Sequence, residues 1–374
     1  MGDMTIRSIQ TTLVDIPLIR PHRFSVTSID HQSVLIVRLL VDGGVLGLGE
    51  AVVPGGPWWG GESIEGIEAL INRYLAPALI GRDAARVEEL SRYLEKTVAG
   101  AEFAKAAIEM ALWDVRGKAL SVPLYDLLGG LSRDSIPVTW AIGVEPAPTV
   151  IDEIEAKLAS GEHSSFKLKM GSSEPAEDVR RIVAVADALA ERTSLRVDLN
   201  GSWSELTATR WLPVLQESGI ELIEQPIRAS NLDGQARLAA LLSIPVMADE
   251  SLRTPEDALK LSRAAAADLF AVKVAKSGGI SAVQRISHIA EAAGIGCHGG
   301  TTIETSIGAS ASAHLFCSAP GIIAGSELFG PLLLADDIAI TPISYRDGHI
   351  SPPEGPGLGM DLDEEKVAKY ARSS

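Results

Sequence analysis

The first fifty residues alternate between apolar and polar positions in the way that is typical of β-strands. Two apolar runs, SVLIVRLLV at 33–41 and VLGLGEA at 45–51, flank the turn Asp42-Gly43-Gly44. A short glycine-containing turn between such runs predicts a hairpin. An earlier run, TIRSIQTTLVDIPL from Thr5, adds another strand. We therefore predict an antiparallel meander at the start of the chain.

The pattern then changes to helical spacing. Apolar residues recur every three or four positions, at Ile64, Ile67, Leu70, Ile71, Tyr74 and Leu75, and a second such run covers 101–120. Strands followed by helices predict that this first part of the chain is α+β.

From Ile136 onward, short apolar segments alternate with stretches long enough to form helices. Eight segments recur at a spacing of about 25 residues, and most are followed by a helical pattern. They are PVTWAIGV, SFKLKMG, LRVDLN, ELIEQP, PVMADE, FAVKVA, GIGCHGG and IAGSELFG. This alternation predicts parallel βαβ units, which form either a closed barrel or an open doubly wound sheet. We favour the barrel because there are eight segments, no glycine-rich phosphate loop follows the first, and polar residues end many of them.

The predicted fold is therefore α/β, a (β/α)7β TIM-like barrel with an α+β capping domain. The 374 residues divide into a capping domain at 1–130, the barrel at 131–330 and a C-terminal segment at 331–374. The last segment is rich in proline and glycine and follows no barrel pattern, so we expect it to pack back on the capping domain.

Ionisable residues occur at the carboxyl ends of the predicted barrel strands, which is where barrel enzymes carry their active sites. Charged groups are costly to bury unless they are paired with each other or with a metal. These residues are Lys167, Lys169, Asp198, Glu224, Asp249, Lys273 and Glu327.

Three of them, Asp198, Glu224 and Asp249, lie on successive predicted strands and should stand side by side. Carboxylate oxygens without a neighbouring histidine favour Mg²⁺ or Mn²⁺ over zinc. Alternatively, each acid caps the helix that follows its strand. That explanation suits one acid better than three at equivalent positions.

Lys167 and Lys169 are two positions apart on one strand, so both side chains should point into the barrel. Their mutual repulsion is expected to lower the pKa of one of them, which would free an amine to act as a base. Lys273 is predicted to lie across the barrel from this pair. A lysine on each face of a substrate, beside a metal-bound carboxylate, suits the formation and protonation of an enolate. Lys276 is expected to be a loop residue in contact with solvent.

Composition narrows the classes of function. The formal net charge of −16 argues against nucleic acid and anionic membranes as partners. The sequence has no run of roughly 20 apolar residues and no signal-peptide pattern in MGDMTIRSIQ, so we expect a cytoplasmic protein that does not enter a membrane. Cys297 and Cys317 are too few for a disulfide framework.

The pattern Lys167-Leu168-Lys169, Asp198, Glu224, Asp249 and Lys273 resembles the muconate lactonizing enzyme subgroup of the enolase superfamily. The resemblance extends over the whole chain, through AKAAIEMALWDVRGKALSVPLYDLLGG, VDLN, LIEQP, MADES and VAKSGGI. It implies metal-dependent cycloisomerisation of cis,cis-muconate to muconolactone, an aromatic-degradation step, in a homo-oligomer, commonly an octamer.

Roles for individual residues follow from the same resemblance. Either Lys169 or Lys273 is the expected proton donor, and the other stabilises charge. Lys167 tunes Lys169, and Glu327 hydrogen-bonds the substrate carboxylate. The expected contacts to the dicarboxylate substrate are Lys167, Trp58, Asn200, His298, Gly299 and Thr301. His298 and the pair Trp58 and Trp59 depart from the family pattern, and the two tryptophans are expected to form an apolar lid.

Other activities remain open at this point, because the same lysines and acids serve dipeptide epimerases, N-acylamino acid racemases and o-succinylbenzoate synthases. Dipeptide epimerases usually carry Asp-x-Asp near the end of the eighth strand, where this chain has Gly325-Ser326-Glu327. A metal-binding barrel without turnover is the alternative outside enzymology.

Overall fold

The computed structural model describes residues 4–189 and 192–372. Its strands, in chain order, are β1 (Ile6–Arg23), β2 (Ser28–Val41), β3 (Leu46–Val52), β4 (Ile136–Pro137), β5 (Trp140–Ile142), β6 (Ser165–Lys169), β7 (Ser194–Asp198), β8 (Leu222–Glu224), β9 (Val246–Ala248), β10 (Leu269–Val272), β11 (Gly296–Gly299), β12 (Ile322–Ser326), β13 (Tyr345–Arg346) and β14 (His349–Ile350).

The helices connect these strands or cover the sheets. They are α1 (Pro57–Gly60), α2 (Ile64–Leu70), a π-helical turn (Ile71–Leu75), α3 (Ala76–Leu79), α4 (Val87–Thr97), α5 (Glu102–Leu120), α6 (Leu124–Leu127), α7 (Ala147–Ser160), α8 (Pro175–Leu189), α9 (Glu205–Glu217), α10 (Leu232–Leu241), α11 (Pro255–Ala264), α12 (Ile280–Ala292), α13 (Ser306–Ser318), α14 (Gly330–Leu333) and α15 (Glu364–Tyr370).

The predicted meander is present at the start of the chain. Strands β1, β2 and β3 form an antiparallel sheet, and the turn at 42–44 joins β2 to β3 as expected. Helix α5 packs against this sheet at very close range. A side chain at Gly49 would come within 1.9 Å of the backbone oxygen of Ala107, so only glycine allows this contact.

The predicted barrel is also present, and the α/β fold class is confirmed. Strands β5 to β12 form one parallel sheet in sequence order. A parallel bridge between Val138 and Ser326 joins the two ends of that sheet and closes it. Helices occupy the connections between consecutive strands, as βαβ units require. Large side chains such as Trp140, Phe166 and Phe270 are fully buried in the core.

The C-terminal segment contacts the N-terminal sheet and helix α5. The guanidinium of Arg372 forms an ion pair with Asp15 at 2.7 Å, and the Leu358 amide donates to the Asp114 carboxylate at 2.8 Å. The domain boundaries remain predictions, but these contacts agree with a tail that returns to the start of the chain. Among the helices of the described residues, none combines the length and apolar character needed to cross a bilayer.

Candidate active site

The acids and lysines meet at the carboxyl ends of neighbouring barrel strands. The ladder pairs Lys169 with Asp198, and Asp198 with Glu224. Asp249 follows strand β9, which pairs with β8. Because parallel strands in register bring equivalent positions together, the three acids form one arc of the barrel mouth. All three carboxylates are buried.

Each acid is paired with lysine ammonium groups. Lys167 Nζ lies 2.6 Å from the Glu327 carboxylate and 2.9 Å from that of Glu224. Lys169 Nζ lies 2.5 Å from the Asp198 carboxylate. These contacts agree with the prediction that both lysines of β6 point into the barrel.

Lys273 and Lys276 both hold Asp249. Lys273 Nζ lies 2.7 Å from one oxygen of the Asp249 carboxylate, and Lys276 Nζ lies 2.5 Å from the other. Lys276 also donates to the Asp249 backbone oxygen at 2.6 Å and is only 1 % exposed. The expectation of a solvent-contacting Lys276 was therefore wrong, because the chain turns back after β10 and brings this side chain beneath Asp249.

The expected lowering of a lysine pKa by its lysine neighbour does not occur at Lys167. Burial lowers the pKa of Lys167, but the carboxylates of Glu224, Glu327 and Asp198 together raise it well above its usual value. Burial likewise lowers the pKa of Lys273, but Asp249 and Glu224 together raise it above its usual value. Opposite charges within hydrogen-bonding distance outweigh the repulsion of a like charge.

Among the described residues, no three His, Cys, Asp or Glu side chains are grouped tightly enough to hold a cation as they stand. The donor set nevertheless fits a divalent cation. The Glu224 Oε1 atom is buried and has no hydrogen-bond partner. Burial, followed by repulsion from Asp198, raises the pKa of Glu224 to about 8. Such crowded oxygen donors suit a hard cation such as Mg²⁺ or Mn²⁺.

A cavity lies above this arc. Strand β6 and the end of β10 are separated by β7, β8 and β9 in the sheet, so their lysines face each other across the barrel. The cavity is lined by the lysines of β6, by the lysine that follows β10, and by aromatic and loop residues. The lining residues are His22, Phe24, Pro54, Trp59, Ala141, Lys167, Lys169, Asn200, Lys273, Thr301, Thr302, Ile303, Glu327 and Phe329.

The residues expected to contact substrate divide into two groups. Lys167, Asn200 and Thr301 line the cavity. Trp58, His298 and Gly299 do not. Trp58 packs against Phe24 at a centroid distance of 5.5 Å with its ring tilted. His298 is buried with Nδ1 against the Ala324 carbonyl at 3.0 Å, and Gly299 accepts a hydrogen bond from the Glu327 amide at 2.7 Å.

Trp59 takes the place predicted for Trp58. Its ring lies 4.3 Å from Lys273 Nζ, and its indole N–H donates to the Glu250 carboxylate at 3.0 Å. Glu250 also accepts from Asn200 Nδ2 at 3.0 Å, and Asn200 Oδ1 accepts from Lys169 at 3.1 Å. One chain of contacts thus connects the two opposed lysines through Trp59, Glu250 and Asn200, of which Glu250 was not singled out by the sequence pattern. The only signal was that Glu250 adjoins Asp249.

Backbone conformation around the cavity is unusual. Ile303 adopts a φ of 63°, which is costly for a β-branched residue, and it lines the cavity. A side chain at Gly300 would lie 2.6 Å from Lys273 Cε, so the glycine leaves room for the lysine stem. Both features lie beside Lys273 and the cavity.

Two family descriptions match the chain. Residues 8–129 match the Mandelate racemase / muconate lactonizing enzyme, N-terminal domain. Residues 149–366 match the Enolase C-terminal domain-like family, so the second match covers more than half of the chain.

Similar proteins extend over the full length. Muconate cycloisomerase 1 of Rhodococcus opacus is 48% identical over 373 residues, which is 100% of both chains. Muconate cycloisomerase 1 of Pseudomonas putida is 44% identical over 374 residues, again 100% of both. Among solved structures, the muconate lactonizing enzyme from Pseudomonas fluorescens complexed with muconolactone has a TM-score of 0.97 at 44% identity, covering 99% of this chain and 100% of that one. The 2-chloromuconate cycloisomerase from Rhodococcus opacus 1CP has a TM-score of 0.96 at 47% identity, with the same coverage.

Proposed function

The chain belongs to the muconate lactonizing enzyme family of the enolase superfamily, and on this premise we propose that it converts cis,cis-muconate to muconolactone. The product is an isomer of the substrate after one proton has been taken up, so the enzyme is a cycloisomerase. The racemase, epimerase and o-succinylbenzoate synthase alternatives have no comparable support, because the relatives described above are muconate or chloromuconate cycloisomerases.

The reaction begins when one carboxylate oxygen of the substrate adds to the carbon β to the other carboxylate. A C–O bond forms and the lactone ring closes. The electron pair of the attacked double bond moves towards the second carboxylate, and its α-carbon then accepts a proton. Muconate is a dianion and muconolactone a monoanion, so each turnover takes one proton from solvent by way of the protein.

The observation that carries the proposal is the pair of opposed lysines at one cavity. Lys169 and Lys273 both line it, from strands on opposite sides of the barrel. Lys169 delivers the proton if addition and protonation occur on the same face of the substrate, and Lys273 does so if they occur on opposite faces. The other ammonium stabilises the charge that develops on the substrate carboxylate.

Muconate lactonizing enzymes of this superfamily depend on a divalent metal ion. In this chain Asp198, Glu224 and Asp249 would hold it, and we propose that it is Mg²⁺ or Mn²⁺. When bound, the cation supplies positive charge that lowers the energy of the negative charge built up on the substrate carboxylate. Lys167 and Glu327, hydrogen-bonded to each other beside Glu224, orient that carboxylate.

Turnover of cis,cis-muconate in D₂O with Mn²⁺ tests the proposal. We expect muconolactone with one deuterium on the carbon α to its carboxylate, in a single configuration that NMR can assign to one face. A parallel incubation with N-acyl amino acids, in which α-proton exchange is monitored, covers the racemase alternative. Exchange there without any lactone from muconate would refute the assignment.

We further propose that the enzyme acts in the cytoplasm as a homo-oligomer, with an octamer as the expected form. Light scattering coupled to size-exclusion chromatography would measure the subunit number directly.

A further inference from the structure

Helix α12 (Ile280–Ala292) begins without a capping side chain of its own. Its N-cap residue is Gly279, with a φ of 127°, and no local side chain caps the first turn. The first amides of a helix need acceptors from elsewhere when they are buried. Here the acceptor is Glu109 of helix α5, 171 positions earlier in the chain.

The Glu109 carboxylate contacts the start of α12 at three points. It accepts from the Ile280 amide at 2.6 Å, from the Ser281 amide at 3.0 Å and from the Ser281 hydroxyl at 2.5 Å. The side chain is 2 % exposed and is also held by the Trp113 indole at 3.0 Å. A negative charge at a helix N-terminus is favourable, and burial strengthens the interaction.

Glycine at 279 is a condition for this contact. A side chain there would come within 2.2 Å of Glu109 Oε2, and the φ of 127° is one that other residues rarely adopt. The backbone at residue 279 can therefore approach the carboxylate this closely only because the residue is glycine.

The N-terminus of α12, which Glu109 caps, is also the end of a loop that carries two lysines of the site. Residues 273–279 connect β10 to α12. At the start of this loop Lys273 faces the cavity, and both Lys273 and Lys276 hold the Asp249 carboxylate, at 2.7 Å and 2.5 Å. One end of the loop is anchored by the barrel strand, and the other is anchored by Glu109 on a helix that packs against the N-terminal sheet.

We propose that Glu109 is a positioning residue for the lactonising reaction, which clamps the 273–279 loop so that Lys273 and Lys276 keep their places around Asp249. The inference rests on the proposed function. Glu109 touches neither the cavity nor the reacting atoms, and it acts through the loop. Small displacements of a catalytic group reduce turnover strongly while leaving substrate binding by the rest of the site largely intact.

The test compares Glu109→Gln with Asp114→Asn. Both substitutions replace a buried carboxylate on α5 by an amide that presents N–H groups to backbone donors. Asp114 accepts from the Leu48 and Leu358 amides and from the Lys118 ammonium, and among the described residues none of these hydrogen bonds reaches the 273–279 loop. We expect both variants to lose thermal stability. Only Glu109→Gln should lower kcat with cis,cis-muconate, by about tenfold or more, with KM changed by less than about threefold.

A second readout does not depend on turnover. Hydrogen exchange of the amides at 274–281 should be faster in Glu109→Gln than in the wild type and unchanged in Asp114→Asn. If Glu109→Gln fails to fold, Ser281→Ala removes a single donor to the same carboxylate and should lower kcat by a smaller factor, about two- to fivefold.

The inference is overturned if the kcat of Glu109→Gln equals that of the wild type, or if Asp114→Asn loses kcat to the same extent. Unchanged exchange at 274–281 in Glu109→Gln would also overturn it. A wild-type protein that does not turn over muconate would refute the proposed function instead, and the exchange experiment would still decide whether the clamp exists.

Discussion

Lys169 and Lys273 have similar surroundings and different predicted roles. Each ammonium is buried, pairs with one acid of the arc and lies near an aromatic ring, Phe24 for Lys169 and Trp59 for Lys273. Only one of them delivers the proton, because protonation takes place on one face of the α-carbon. At the scale of single residues, the proton donor is therefore chosen by which face of the substrate each lysine meets.

Replacing each lysine by methionine keeps much of its volume and removes the proton. We expect the variant that lacks the donor to lose kcat by about 10²- to 10⁴-fold, which is the usual contribution of general acid catalysis. The other variant should lose less, because it removes only charge stabilisation. Muconate consumption in the presence of Mn²⁺ measures both, with Lys260→Met on the surface as the control. Near wild-type kcat in both variants would contradict the assignment.

The hydrogen bonds of the buried His314 side chain fit only its neutral form. Nδ1 accepts from the Tyr125 amide at 3.2 Å, and Nε2–H donates to the Leu358 carbonyl at 3.3 Å. Burial lowers the pKa of His314 to about 4, although the bond to Leu358 opposes that shift. Protonation would place a second N–H against the Tyr125 amide donor.

Because the unfolded chain binds this proton more tightly, stability should fall as pH drops from 6.5 to about 4, by up to about 3 kcal/mol. Above pH 6.5 the histidine is neutral in both states and contributes no pH dependence. Denaturant titrations of the wild type and of His314→Gln should therefore converge towards low pH. Exposed His288→Gln is the control, and parallel curves for the wild type and His314→Gln would refute the expectation.

At the scale of elements, the approach of α5 to the N-terminal sheet depends on missing side chains. A Cβ at Gly49 would lie 1.9 Å from the Ala107 backbone oxygen, and one at Gly47 would lie 2.2 Å from that of Ala111. Backbone atoms cannot move aside as a flexible side chain can. Two glycines of strand β3 thus allow the helix that carries Glu109 and Asp114 to lie this close to the sheet.

Gly49→Ala should destabilise the protein by about 3 kcal/mol or more, because overpacking against backbone forces the helix and the sheet apart. Gly66→Ala in helix α2 is the matched control, since its added Cβ meets only the Ser63 hydroxyl, at 3.1 Å. Thermal unfolding midpoints compare the two variants. Equal midpoints would show that the close packing is not a constraint on the fold.

At the scale of the whole molecule, a bound cation should stabilise the folded barrel, because the three acids come together only when it is folded. Mn²⁺ or Mg²⁺ at about 100 times its dissociation constant should add about 2.7 kcal/mol to the free energy of unfolding. The rise in the midpoint should largely disappear in Glu224→Gln and persist in Glu364→Gln, which alters an exposed acid. Chelation of divalent cations should abolish muconate turnover. An equal rise in both variants would place the cation elsewhere.

The architecture was largely predictable because it repeats. Eight apolar segments, many of them ending in polar residues, indicate a barrel and the face that carries its site. Asp198 and Glu224 were predicted as neighbours because parallel strands in register have equivalent ends. The contact of Lys276 with Asp249, and the place of Trp59 rather than Trp58 on the cavity wall, were not predicted. Their positions depend on loops, which have no periodic pattern to read.

Strand periodicity by itself determined the fold class, the arc of acids and the lysines that face them, because alternation and repeat length are local properties of the sequence. The tertiary structure alone decided that Trp59 rather than Trp58 lines the cavity, that Lys276 lies beneath Asp249, and that Glu109 caps a helix 171 positions away. It also decided the lysine pKa shifts, since these follow from the burial of each ammonium and from its distances to carboxylates elsewhere in the barrel. Contacts between segments that are distant in sequence arise only when the barrel and the N-terminal sheet come together.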